Sequence, residues 1–183
     1  MSPPIDEARL VARAQQGDSA ALAEIYERHH AAVYRYVLYR VGEEGTAEDL
    51  TATIFLRVVE SIDGFVYRGR PLLTWLYTIA RNAVIDHHRR AGAAGTVLLD
   101  ERLLDGQQDV EHTVENALQV RQLAAAMGHL TEDQRQVILL KFVEGMCNEE
   151  VATIMGKTVG AVKSLQHRAL AALQRTLGVG ESR

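Results

Sequence analysis

The chain has 183 residues, is 47% hydrophobic and carries a formal net charge of -4. That length supports one medium core or two small ones, and the lack of any run of about 18 apolar residues excludes an expected membrane span. One cysteine, Cys147, excludes an internal disulfide and suits a reducing compartment.

The opening MSPPIDEARLVARAQQGD has Asp6 and Glu7 where a secretory leader would be basic and then apolar, so cytoplasmic placement is expected. Residues 18–41 place Leu22, Ile25, Tyr26, Val33, Tyr36 and Val37 at mostly three- and four-residue steps, the spacing of an amphipathic helix. Gly42 and Gly45 interrupt it. Thr46 is then the expected N-cap of the next helix, with Glu48 and Asp49 in its first turn. That helix runs through Leu50, Ile54, Phe55, Val58, Val59 and Ile62 and stops at Asp63-Gly64. A loop, FVYRGRP, follows, and LLTWLYTIARNAVIDHHRR opens a helix directly after Pro71, where proline is tolerated.

Residues 91–112 break the pattern with three glycines, an acidic bias and weak periodicity. They read as a linker. Beyond them, Thr131 and Gln134 form a capping box ahead of Val137, Ile138, Leu140 and Phe142. NEEVATIMG is a short helix closed by Gly156, and Thr158 caps another through Val162, Ala169 and Leu173. Two short helices joined by a tight glycine turn are a helix-turn-helix. No alternating strand pattern appears. The fold class is all-α: two small helical domains over residues 5–91 and 114–178, joined by a flexible acidic linker over 92–113.

Charge is segregated along the chain. Residues 5–63 hold eleven acidic and six basic side chains. Residues 66–90 hold Arg68, Arg70, Arg81, Arg89 and Arg90 against Asp86 alone. Residues 93–115 hold six carboxylates against Arg102. Residues 157–177 hold Lys157, Lys163, Arg168 and Arg175 and no Asp or Glu. Two separated basic patches suit two contacts with a polyanion. In the last helix Lys163, Ser164, His167 and Arg168 are surface neighbours. Such a face in the major groove would release counterions and read base edges; a merely solvated face is the alternative. The adjacent pairs His29-His30 and His87-His88 point about 100° apart on a helix, so each offers one metal ligand at best. With no His-Glu-x-x-His and no second cysteine, no metal and no cofactor is expected. No catalytic arrangement is legible, so an enzyme is not expected. Cys147 adjoins a helix start, where a thiol is activated; a small buried side chain is the preferred reading.

The stretches AEDLTATIFLRVVESIDGF, RPLLTWLYTIARNAVIDHHRR and LTEDQRQVILLKFVEGMCNEEVATIMGKTVGAVKSLQHRALAAL resemble the extracytoplasmic-function (group IV) sigma factors of the sigma-70 superfamily. The first two are similar to parts of the family's region 2, the third to its region 4. The resemblance implies a protein that binds RNA polymerase core, through the coiled coil of the largest subunit and the flap region, and recognises promoter DNA. It assigns core binding to Glu48, Asp49, Phe55 and Arg57. It assigns the −10 element, bound as single strand, to Phe65, Tyr67, Arg68, Arg70, Asn82, Arg89 and Arg90; the apolar helical spacing around Trp75 reads as packing, and Asp86, which opposes the positive field, as an intradomain partner. It assigns the −35 element to Thr158, Lys163, Ser164, His167 and Arg168. The acidic linker would thread the polymerase cleft. An anti-sigma factor is a further candidate partner. The chain departs from the family at Ala52-Thr53, where Gln-Glu is common, and at Leu165, where some members are basic. A helix-turn-helix regulator acting without polymerase core is the rival function.

Overall fold

The computed structural model describes residues 6–92, 122–123 and 125–178. The expected linker, apart from Gly92, lies outside the described residues, as does any role for its carboxylates. Four long helices form the first domain: α1 (Glu7–Gln15), α2 (Ser19–Val41), α3 (Glu44–Ser61) and α4 (Leu72–Ala91). The second domain holds α5 (Glu132–Ile138), α6 (Asn148–Met155) and α7 (Val159–Leu177), preceded by helical residues 122–123 and 125–128. The described residues are helices and short loops without strands, as the periodicity predicts.

Local signals explain most boundaries. The Asp18 carboxylate caps α2, and α2 ends on Gly42 at φ 71°. The reciprocal box at Thr131 and Gln134 starts α5, with bonds of 3.3 and 3.0 Å. Gly156, at φ 62°, ends α6 in the left-handed conformation, which a side chain would strain.

The start of α3 corrects the sequence reading. Its N-cap is Glu43, not Thr46. The Glu43 carboxylate folds over the first turn and accepts from the amides of Gly45 and Thr46. Gly45 leaves room for it, since a Cβ there would stand 3.1 Å from Glu43 Oε1. Packing also decides which side of α3 is covered. Val59, part of the apolar run that marks this helix, is 50% exposed, and Leu56 is 65% exposed.

The core of the first domain is Ile25, Val33, Val37, Ile54, Val58, Leu72, Leu76, Ala80 and Val84, from α2, α3 and α4. Fully burying aliphatic side chains of this size contributes roughly 1.5–3 kcal/mol each before chain entropy is subtracted. α1 does a different job. Its Gln15 amide donates to the carbonyls of Ile62 at 2.9 Å and Phe65 at 2.7 Å. Its Glu7 carboxylate accepts from the Leu72 amide at 3.0 Å, satisfying a helix-start donor that Pro71 cannot cap. The loop between α3 and α4 is thus held at both ends by α1.

Gln15→Ala removes two of those bonds. It should lower stability by about 1–2 kcal/mol, read as a lower denaturant midpoint with the slope unchanged; an unchanged midpoint would show that α1 does not hold the loop. A second expectation concerns pH. Burial holds His29 below its ordinary value against the pull of Glu7. Burial and then the nearby Arg40 charge do the same to His88, whose ring lies 3.2 Å from the Arg40 carbonyl. The unfolded chain therefore takes up protons first. The stability from these groups is complete above about pH 6.5 and is lost as pH falls from there toward the lowered folded values. The melting temperature should drop between about pH 7.5 and 5.5, and less steeply in His88→Gln. A melting temperature flat across that window would contradict this account.

Candidate nucleic-acid interface

The loop that α1 fixes forms one wall of a 490 Å³ cleft lined by Phe65, Arg68, Arg70, Trp75, Thr78 and Thr153, among others. Phe65 stacks on Trp75 with ring centroids 4.5 Å apart. Trp75 therefore packs, as the sequence suggests, and also presents an aromatic wall. Arg68 and Arg70 are exposed at the rim. A cleft with aromatic walls and cationic edges suits an unstacked base and its phosphates.

The other residues expected to act with these are spread out. Tyr67 turns to a second cleft, of 450 Å³, beside Glu7, Arg28 and His29. Asn82, Arg89 and Arg90 are exposed further along α4. Asp86 pairs with Arg89 at 3.1 Å, in keeping with an intradomain role. Arg81, which the charge count places in the same basic patch, bonds to Gln136 Oε1 at 3.3 Å.

On α3, Glu48 and Asp49 are exposed and Arg57 is partly exposed. Phe55 is not on that surface. It is 8% exposed and packs edge-on to Tyr26 at 4.9 Å, so it belongs to the core of the first domain. The apolar groups available on that helix are Leu56 and Val59, beside exposed Ala52 and Thr53. The periodicity did not single them out as surface groups because helical spacing marks an apolar side without saying which of two adjacent rows a neighbour covers.

In the second domain, α6 and α7 are joined through Gly156, Lys157 and Thr158. The Thr158 hydroxyl accepts from the Ala161 amide at 3.2 Å and starts α7. Val162, Leu165, Ala169 and Leu173 are buried on one side. Lys163, Ser164, His167 and Arg168 are exposed on the other. Leu165 is a core position, so it has no surface on which a basic contact could be missing. Lys157 is held at 2.9 Å by Asp133 and adds less to the basic face than its sequence position suggests.

Cys147 also departs from expectation. It is exposed rather than buried. A backbone hydrogen bond at Glu150 pulls its thiol down, but desolvation and the side chains of Glu150 and Glu149 outweigh it and leave it above its ordinary value, the reverse of an activated thiol. Among the described residues no three His, Cys, Asp or Glu side chains converge as a metal site, and no helix is long and apolar enough to cross a membrane.

The chain matches the family Sigma-70 region 2 over residues 25–94 and the family Sigma-70, region 4 over residues 120–173. It is 40% identical over 171 residues to the ECF RNA polymerase sigma factor BldN of Streptomyces coelicolor, covering 92% of this chain and 64% of that protein. It is 31% identical over 167 residues to the ECF RNA polymerase sigma factor SigL of Mycobacterium tuberculosis, covering 91% of this chain and 94% of that protein. Among solved structures it is similar to the sigma factor RpoE of Bartonella quintana, in complex with the anti-sigma factor NepR. The TM-score there is 0.67 at 25% identity, over 87% of this chain and 98% of that one. A basic aromatic cleft walled mainly by the first domain, an acid-free α7 in the second and these two matches in this order establish that the chain belongs to the extracytoplasmic-function sigma factors of the sigma-70 family.

Proposed function

We propose that this chain binds the core of RNA polymerase, recognises the −10 and −35 elements of a promoter and promotes DNA opening, acting by binding and not by catalysis. Residues 5–91 would contact core and the −10 element, 92–113 would link, and 114–178 would contact the −35 element. The observation that carries this reading is the pairing of two different nucleic-acid surfaces on one chain. The cleft at Phe65 and Trp75 suits an extruded base, and the exposed side of α7 suits a duplex groove. A regulator that binds only duplex DNA has use for the second surface and none for the first.

Roles follow from placement. Arg68 and Arg70 hold phosphates at the cleft rim, and Phe65 with Trp75 receives the base. Asn82, Arg89 and Arg90 lie along the path of the strand, and Tyr67 guards the neighbouring cleft. Lys163, Ser164, His167 and Arg168 enter the major groove, while Thr158 and the start of α7 receive a phosphate. Glu48, Asp49 and Arg57 meet the charged coiled coil of the polymerase, and Leu56 and Val59 supply the apolar contact beside them. Ala52-Thr53 weakens that contact relative to members with Gln-Glu. The cytoplasm is the corresponding location. An anti-sigma factor is a further partner, on the precedent of RpoE with NepR.

The test is run-off transcription with bacterial core polymerase on candidate promoters, with and without the protein. A protein-dependent transcript of defined start is expected. Normal duplex binding with no transcript would favour the polymerase-independent regulator. Lys163→Ala should weaken promoter use. If Lys163 reads a guanine, the loss is roughly 1–3 kcal/mol and confined to promoters carrying that base pair. If it meets a phosphate, binding weakens uniformly and the salt slope falls by about 1. Unchanged binding and an unchanged slope would remove Lys163 from the interface.

A further inference from the structure

We propose that a row of aromatic rings on α2, Tyr26, His30 and Tyr34, forms with Glu48 of α3 a socket for an arginine side chain on a helix of the polymerase core. The partner named here rests on the function proposed above; the shape and charge of the socket do not.

The three residues stand four apart on α2, so their side chains form one line on its surface. The His30 ring centroid lies 4.8 Å from that of Tyr26 and 6.2 Å from that of Tyr34, the latter pair at 8° from parallel. Phe55 of α3 backs the row, with its ring 4.9 Å from Tyr26 and 6.1 Å from His30. Phe55 is buried, whereas Tyr26 is 46% exposed and His30 and Tyr34 are partly exposed. On α3, Glu48, Ala52 and Val59 fall within about 60° of Phe55 at about 100° per residue, and all three are exposed. Val59, with Leu56 beside it, therefore continues the apolar surface of the row onto α3. A lone exposed ring needs no explanation, but a contiguous strip of this kind marks a contact surface.

Charge selects the occupant. After desolvation, the charges of Glu44, Glu48 and Glu43 push the Tyr34 hydroxyl above its ordinary value, which places these carboxylates near that end of the row. Glu43 is engaged in capping α3; Glu44 and Glu48 are exposed. Rings with carboxylates at one end fit a guanidinium. Its plane stacks on aromatic faces, and its fork of donors meets a carboxylate in two places. An aliphatic side chain would leave the carboxylates unanswered, and an acidic one would be repelled. Ala52 gives access. It lies one turn from Glu48 and one turn from Leu56, and its methyl leaves the strip open where the glutamine common in the family would extend across it. The socket thus stands where this chain lacks two polar contacts, and it supplies a grip of another kind.

The experiment measures the affinity of the full chain for core polymerase by biolayer interferometry over a range of salt concentrations. Tyr26→Leu keeps apolar bulk over Phe55 but has no π face. Its affinity should fall about fivefold or more, the size of one cation–ring contact taken out of water, with an unchanged melting temperature. His30→Leu should behave alike, and Tyr26→Phe, which keeps the ring, should stay within about twofold of wild type. Glu48→Gln should weaken binding and flatten its salt dependence, since exposed ion pairs are screened by salt. Leu56→Arg, on the side of α3 assigned to core, is the loss control. Wild-type affinity in Tyr26→Leu and His30→Leu, alongside loss in Leu56→Arg, overturns the socket and leaves the function standing. Tyr26→Phe as weak as Tyr26→Leu also overturns it, because the hydroxyl and not the ring would then make the contact. An unchanged salt dependence in Glu48→Gln overturns the cationic partner. A wild-type chain that does not bind core refutes the function itself.

Discussion

Glu144 sets the terms for the rest of this molecule. A carboxylate whose side chain is only 5% exposed must find donors, and both of its partners, Arg35 and Tyr77, come from the other domain. The path of the chain is shaped to bring it there. After Ile138 the helix widens by one residue per turn over Leu139–Val143, a device often found where a side chain must be re-aimed. The Glu144 amide then donates to the Leu139 carbonyl and the Met146 amide to that of Leu140, which fixes the exit. The partners are adjusted in turn. Burial, and then the bond to Glu144, push the Tyr77 hydroxyl far above its ordinary value, so it remains a donor. The same carboxylate raises Arg35.

This arrangement changes how the charge pattern should be weighed. A linear count assigns every arginine to solvent or to DNA. In the folded chain Arg35, Arg40 and Arg81 serve the contact between domains, and Arg135 turns inward to the carbonyls of Met127 and Leu130. The outward cations of the basic stretches are fewer, among them Arg68 on the cleft rim, Arg89 and Arg90 at the end of α4, and Lys163 and Arg168 on α7. Selectivity of the basic surfaces depends on this sorting more than on net charge.

Much of this was legible before any coordinates. Helix periodicity, the box at Thr131 and the glycine at 156 placed the second domain's helices and the outward side of α7. Local signals suffice there because each boundary is decided within a few residues. The misreadings share a cause. Thr46 was a sound cap by type, but the helix starts three residues earlier, where the Glu43 carboxylate accepts from the amides of Gly45 and Thr46. Phe55 was assigned to the polymerase surface but is covered, while Val59 of the same apolar run is not, because only the packing of α2 decides which is buried. Cys147 was judged by its size, whereas its place in an exposed turn decides its burial. The contacts of Tyr36 with Gln136 and of Arg35 with Glu144 join positions about a hundred residues apart, and no period or cap carries that information. A polar Gln136 beside Val137 and Ile138 was the one local sign that this helix meets something other than solvent and lipid-like core.

The last turn of α2 does not belong to one domain alone. Tyr39 is buried among Ala126, Met127, Leu130, Ile138, Leu139 and Leu173 of the second domain, next to Arg40 in its pairing with Glu132. The boundary at which these sigma factors look modular, between residues 92 and 122, is therefore not the boundary of packing. A chimera that takes its second domain from a relative and is spliced in that stretch would inherit a foreign socket for Tyr39. To exchange the halves cleanly, the end of α2 has to travel with the second domain, although it lies more than fifty residues before the splice.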